Sequence, residues 1–208
     1  MFVKSEPFVI IISSPSGAGK TTLCRMLVQN DPLIKLSIST TTRKKRPQEI
    51  NGQDYVFVSN EEFIKLKNAN EFLEDAIVFN NYYGSPKKLV EEEMNRGHCV
   101  LFDIDWQGAR QIKEKLSKDA VVSIFILPPS LAELERRLRA RAQDSEDIVQ
   151  LRMQEALQEI SHYNEYDYVL INDDLENSLK KIRSIIETKR ISRQNISRLI
   201  EDGKFLKN

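Results

Sequence analysis

Between Phe8 and Leu23 the chain reads FVIIISSPSGAGKTTL. An apolar β-branched run is followed by small residues, one lysine and two threonines, and these types in this order can hold a chain of phosphates. A tight turn aims backbone N–H groups at an anion, and the first turn of the next helix adds its dipole. Lys20 would reach the β- and γ-phosphates of a nucleotide, and the Thr21 hydroxyl would bind Mg²⁺. The strict spacing G-x-x-x-x-G-K-[ST] has Ser14 in its first place here, so the candidate loop is Ser14, Pro15, Ser16, Gly17, Ala18, Gly19, Lys20, Thr21 and Thr22. The bland alternative is a plain turn with a surface lysine. The strand expected over Val9 to Ile12, and the helical spacing of Leu23, Met26 and Leu27, favour the phosphate loop.

Other residues could serve phosphoryl chemistry. Asp103 ends an apolar run from Cys99 to Phe102. A carboxylate at a strand end beside a phosphate loop can hold Mg²⁺ directly or through water; a turn aspartate is the alternative. Asp105-Trp106-Gln107-Gly108 matches the short D-x-x-G element of GTPase switches, but the chain lacks the N/T-K-x-D element that should accompany it. Arg136, Arg137, Arg139, Arg141 and Arg152 form either a solvated helix face or a lid that brings fixed positive charge to a transferring phosphoryl group. Arg43 and Arg46, preceded by three threonines, suit a phosphate gripped by forked guanidinium groups, or equally an exposed basic loop. His98 and His162 have no neighbours at metal or catalytic spacing and read as structural.

The elements that must position these residues alternate. Strands are expected at Val9–Ile12, Cys99–Phe102, Val121–Leu127 and Tyr168–Ile171, with helices between them, which implies a parallel sheet covered on both faces. Ligands in such sheets bind at the carboxyl ends of the strands. Between residues 37 and 85 the pattern breaks into short strands and one helix capped at Asn60, with Asn80 to Gly84 as a loop. Ser85-Pro86 is expected to start the next helix and Gly97 to close it. Ser130 and Glu133 form a capping box, Asp144-Ser145 cap the following helix, and Leu175 to Ile186 stripe a last long helix. Residues 192–208 read as a polar, fraying end.

Composition narrows the possibilities further. The chain has 208 residues, with 31 Lys+Arg against 31 Asp+Glu. That balance argues against a nucleic-acid or membrane-surface partner, since both need a basic excess. Cys24 and Cys99 sit in apolar runs and read as reduced, buried thiols. No signal-peptide core or membrane-length apolar run is present, so a cytoplasmic place is expected.

The segments SSPSGAGKTT, STTTRKKRPQEINGQDYVFV, EFLEDA, NYYGS, VLFDIDWQG, ILPPS, RLRARAQDSEDIVQLR and YDYVLINDD resemble, in order and spacing, the guanylate kinases over residues 8 to about 190. The resemblance implies a P-loop core with a parallel sheet and helices on both faces, an inserted small α+β GMP-binding lobe and a helical lid. The bounds would be 1–36 for the core with its phosphate loop, 37–89 for the lobe, 90–127 for core, 128–160 for the lid, and 161–208 for core and C-terminal helix. It further implies Mg²⁺-dependent transfer of the γ-phosphoryl group of ATP to GMP, giving GDP and ADP. By position, Ser39, Arg43, Arg46, Tyr55, Glu74, Tyr83, Ser85 and Asp103 match the GMP contacts. Arg46, Arg141 and Arg152, with Lys20, match the catalytic set, Asn172 and Asp173 lie near the adenine, and Thr21 and Asp103 serve the metal. Lys45 and Gln48 depart from the family's T-T-R-x-P-R-x-G-E, while both arginines and Glu49 remain. Two other readings stand beside this one: a catalytically inactive guanylate-kinase-like interaction module, and a P-loop kinase for a different small acceptor.

Overall fold

The computed structural model describes residues 6–78, 80–141 and 146–201; the side chains at 141, 146–148, 198 and 199 also lie outside the description. Its main sheet has five parallel strands. In chain order these are β1 (Val9–Ser13), β2 (Ile34–Leu36), β7 (Cys99–Asp103), β8 (Val121–Leu127) and β9 (Tyr168–Ile171), and their order in space is β2-β7-β1-β8-β9. Every residue of β1 is buried, because helices cover both faces; this is why the run has no polar alternation. Ile10 and Ile12 point to one side and pack with Leu23, Cys24 and Leu27 of α1 (Lys20–Asn30) and Leu179, Ile182 and Ile186 of α7 (Leu175–Arg190). Val9 and Ile11 point to the other side, toward Val90 of α3 (Lys87–Asn95) and Ala109 and Ile112 of α4 (Trp106–Lys115). Each fully buried isoleucine contributes about 1.5–3 kcal/mol of transfer free energy, so this three-layer packing fixes the strand from which the phosphate loop departs.

A second sheet, in the order β4-β3-β6-β5, makes the inserted lobe. Its strands are β3 (Thr40–Thr41), β4 (Val56–Phe57), β5 (Phe72–Val78) and β6 (Asn81–Pro86). Phe63 of α2 (Asn60–Asn68) stacks on Phe72 and Tyr82 and covers one face. On the other face, register aligns Glu74 with Ser85 and Ala76 with Tyr83, and Tyr83 with Thr41. Side chains of paired residues point the same way, so Glu74, Ser85 and Tyr83 share that face.

The lobe differs from the sequence expectation in three places. The residues Asn80 to Gly84 are not a loop: from Asn81 they form β6, paired along its length with β5. Ser85 and Pro86 still belong to that hairpin, so α3 starts one residue later, at Lys87, with Pro86 at its N-cap. The cap of α2 is Ser59, which accepts the Glu62 N–H while the Glu62 carboxylate accepts the Ser59 N–H; Asn60 is the first helical residue.

The segment expected to form a lid holds α5 (Leu131–Arg141) and α6 (Glu146–Ile160), packed through Leu134, Leu138 and Ala156. The Ser130 hydroxyl accepts the Glu133 N–H, as expected of a cap. The expected cap at Asp144-Ser145 lies outside the described residues. Beyond α7 the chain does not fray at once: α8 (Arg193–Glu201) packs on α7, with Asn195 buried. No helix among the described residues is long and apolar enough to cross a membrane.

Candidate active site

Topology gathers the chemistry at one edge of the main sheet. Ile12 is level with Asp103 across β1 and β7, and Leu127 is level with Ile171 across β8 and β9. The chain leaves β1 into the phosphate loop, β7 ends on Asp103, and β9 runs into Asn172, so all three meet at the carboxyl ends of the strands. Gly17 (φ 93°) and Gly19 (φ 96°) make the loop, in a backbone region where a side chain is strained. A β-carbon at Gly19 would also lie 2.6 Å from Asn172 Nδ2, which donates to the Ala18 carbonyl at 2.8 Å. Asn172 thus braces the loop from below, and its own Oδ1 is buried without a hydrogen-bond partner among the described residues.

Lys20, at the start of α1, donates to Asp103 Oδ1 at 2.5 Å and to the Ile104 carbonyl at 3.2 Å. Burial alone would lower its pKa; the adjacent Asp103 carboxylate outweighs this and holds it above the ordinary lysine value. Thr21 Oγ1 donates to Asp103 Oδ2 at 2.9 Å. The hydroxyl and the carboxylate expected to serve a metal are therefore neighbours, and Lys20 completes the triangle. Asp105 has another task. Its Oδ1 accepts the Gly108 N–H at 3.0 Å and caps α4, so the D-x-x-G element is a helix start.

Two clefts open on this constellation. The first is lined by Gly17, Gly19, Thr22, Arg136, Arg137, Asn172 and Asp173. Arg136 and Arg137 share Glu133, whose carboxyl they hold down to about 2. A β-carbon at Gly17 would lie 3.1 Å from Leu134 Cδ1 and 3.3 Å from Leu138 Cδ2, so α5 sits close against the glycine loop. The second cleft is lined by Thr21, Ser39, Arg46, Glu49, Tyr55 and Asp103, and Arg25 of α1 spans it to reach Asp54 of the lobe at 3.0 Å.

Glu74 and Ser85 are buried and do not line the second cleft. Ser85 Oγ donates to Glu74 Oε1 at 2.6 Å. Burial pushes the Glu74 carboxyl up to about 7, against the pull of that hydrogen bond and with help from the Asp105 charge. Tyr83, on the same face, meets the Tyr55 ring edge-on at 5.9 Å, and Tyr55 lines the cleft. Arg43 is held between Glu49, at 2.6 Å, and the Tyr55 and Phe57 rings, with its guanidinium carbon 5.3 and 5.7 Å from their centres. Arg46 is exposed at the cleft wall, its backbone N–H on the other Glu49 oxygen. Glu49 thus binds both members of the arginine pair in one loop.

A model of the family described as guanylate kinase matches residues 6–189. The chain belongs to the guanylate kinase family. It is 52% identical to the guanylate kinase of Cereibacter sphaeroides over 89% of this chain and 88% of that protein. It is 53% identical to the guanylate kinase of Rickettsia bellii, over 91% and 98%. The crystal structure of guanylate kinase from Anaplasma phagocytophilum superposes with a TM-score of 0.78 at 37% identity, covering 93% of this chain and 92% of that one. The expected α/β core and the family resemblance are both borne out, and the chain is an enzyme of the guanylate kinase type, a nucleotide phosphotransferase.

Within this family member the expected site residues fall into separate groups. Lys20, Thr21 and Asp103 touch one another; Asn172 and Asp173 line the first cleft; Ser39, Tyr55 and Arg46 line the second. Arg152 is half-buried on α6; burial raises the Glu155 carboxyl there, with the Arg152 charge pulling against it. The Arg141 side chain lies outside the described residues. One carboxylate escaped the sequence reading. Glu159 of α6 accepts the Ser16 backbone N–H at 3.0 Å, and no local motif marks it. His98 and His162 each hold a glutamate at 2.7 Å, and His162 also stacks on Trp106 at 3.8 Å, in line with structural roles.

Proposed function

We propose that this enzyme transfers the γ-phosphoryl group of ATP to GMP, and to dGMP, giving ADP and GDP. The observation that carries this reading is that the two clefts meet on one turn of helix. Gly19 and Thr22 line the first, Thr21 and Asp103 the second, and Lys20 lies between them. ATP fits the first cleft: loop N–H groups and Lys20 face its phosphates, and the partnerless Asn172 Oδ1 offers an acceptor to an adenine amino group. GMP fits the second, with Arg43 gripping its phosphate, Arg46 above it at the cleft wall, and Ser39 and Tyr55 along the nucleoside; Tyr83, Ser85 and Glu74 lie behind that wall, and the base would reach them by entering past Tyr55. Guanine carries N1–H and N2–H₂ donors on one edge, and the Glu74 carboxylate can accept both. Adenine lacks the N1–H and would leave a buried carboxylate badly paired, which a site of this kind rejects strongly.

An oxygen of the GMP phosphate attacks the γ-phosphorus while the bond to the β–γ bridging oxygen breaks, and ADP leaves with that oxygen. Lys20, Arg46, Arg141 and Arg152 hold the charge that spreads over the transferring group. Thr21 and Asp103 would hold Mg²⁺ arriving with ATP, which would supply charge neutralisation to the transferring phosphoryl group. Thr21 and Asp103 fit that ion: Mg²⁺ takes one or two protein oxygens together with phosphates and water. The lobe (37–89) and the lid (128–160) close over the substrates and exclude water, which would otherwise hydrolyse ATP. The reaction belongs to cytoplasmic purine nucleotide metabolism, with ATP and GMP as partners and no nucleic acid or membrane. Nothing favours an inactive interaction module, since Gly17, Gly19, Lys20 and Thr21 build a complete phosphate loop.

The test is ADP release across GMP, dGMP, AMP, CMP and UMP. GMP and dGMP should be phosphorylated, with AMP worse by orders of magnitude. A comparable kcat/KM for AMP would overturn the guanine assignment.

A further inference from the structure

Gly108 is the third residue of α4, in a place where alanine is the better helix former and where φ is not positive. No backbone demand calls for glycine here; space does. A β-carbon at Gly108 would lie 2.5 Å from Glu74 Oε2 and 3.1 Å from its carboxyl carbon. On the far side, Ser85 Oγ holds Oε1 at 2.6 Å. The backbone on either side of Glu74 is tied to α4 as well. Lys115 donates to the Leu73 carbonyl at 2.5 Å. The Gln111 amide donates to the Asp75 carbonyl at 2.6 Å and accepts the Asp75 N–H at 3.1 Å. With strand and helix locked together, a methyl group at 108 meets the Glu74 carboxyl first and Ile104 Cδ1 next, at 3.3 Å, so the end of the Glu74 side chain must move.

We infer that Gly108 is a specificity-determining position of this enzyme, a positioning residue whose missing side chain lets the Glu74 carboxylate stand against the first turn of α4, where it reads the guanine edge. The inference rests on the assignment of Glu74 as the guanine acceptor. Gly108 touches no substrate; it acts by leaving a gap of one methyl group, which the carboxylate fills.

Steady-state kinetics with GMP and ATP, together with thermal denaturation, test this on Gly108→Ala, Glu74→Gln, Glu74→Asp and the double variant Gly108→Ala/Glu74→Asp. Gly108→Ala should raise KM for GMP by about tenfold or more, the scale of misplacing one buried charged hydrogen bond, with KM for ATP and Tm close to wild type. The shorter aspartate withdraws from the new methyl, so the double variant should lose less than the product of the two single losses. A wild-type KM for GMP in Gly108→Ala overturns the inference. So does a loss shared equally by both substrates and by Tm, which marks a structural glycine. If Glu74→Gln keeps full guanine selectivity, the assignment of Glu74 fails instead, and the inference with it. Should Gly108→Ala not fold, Glu74→Ala/Gly108→Ala removes the contact and must fold; failure there also overturns the inference.

Discussion

Glu159 of α6 accepts the backbone N–H of Ser16 at 3.0 Å, so a carboxylate rests on the glycine loop proposed to bind phosphate. Burial pushes this carboxyl up to about 7 against the pull of the Ser16 N–H and the nearby Lys20 charge, and the Asp105 and Glu155 carboxylates add to the push. Glu74 is raised to the same value. In the unfolded chain both titrate near the ordinary 4.5. Between those values the folded state binds more protons at these two groups, so their contribution to stability is full below about 4.5 and is lost as pH rises through about 7. Denaturant unfolding of the free enzyme across this window should show that decline. Glu159→Gln, which keeps an acceptor for Ser16, should flatten it; an unchanged slope would show that Glu159 does not titrate there.

Lys20→Ala should lower kcat by at least about a hundredfold, the scale of losing one electrostatic stabiliser. Folding is also affected, contrary to what a side chain facing only ligand implies. Removing the ammonium leaves the half-buried Asp103 with Thr21 alone, a loss of about 1–3 kcal/mol. Turnover near wild type in the folded variant would sink the phosphate-loop reading. A Tm equal to wild type would mean that the Lys20–Asp103 pair contributes nothing.

The arginines should divide by role. Arg46 is exposed at the cleft wall and Arg152 stands on α6, so under the proposed closure each would meet a bound phosphate only once the lobes close. Alanine at either should fall mainly on kcat, because the charge they meet exists in the transition state. Arg43 is already clamped by Glu49 and two aromatic rings, and Arg43→Ala should mainly raise KM for GMP. Lysine at Arg152 should not restore turnover, since an ammonium cannot make a paired contact. Arg139, bonded to Glu135 on the outer face of α5, is the control and should tolerate alanine. Kinetics on the four alanine variants and Arg152→Lys decides it; damage at Arg139 equal to that at Arg152 would show that the roles are misassigned.

What could be read in the sequence was local. The strand, glycine turn and lysine between Val9 and Thr22 are adjacent in the chain and fold as a unit, so the phosphate loop needed no partner to be seen. The hairpin β5–β6 was missed because Asn80, Asn81 and Gly84 are turn formers; only Phe63 on one face and α4 beside β5 make a sheet of that stretch. Asp105 read as chemistry because a cap and a ligand use the same carboxylate. Glu74 became a candidate through the family resemblance, since its surroundings come from β6 and α4. Glu159 reaches Ser16 across 143 residues, and helix spacing gives no sign of it.

Gln111 stands beside β5 as a further rung of the lobe's sheet, and with Lys115 it rivets the strand carrying Glu74 to the core. That makes β5 the fulcrum of any swing of the lobe. The loop bearing Arg43 and Arg46 leaves β3, two strands away and so about 10 Å further out along the lever arm. Motion about this axis leaves the base reader nearly still and sweeps the phosphate grip through the long arc. Under the proposed assignment, a guanine seated at the fulcrum would keep its place while the arm carried its phosphate toward the donor.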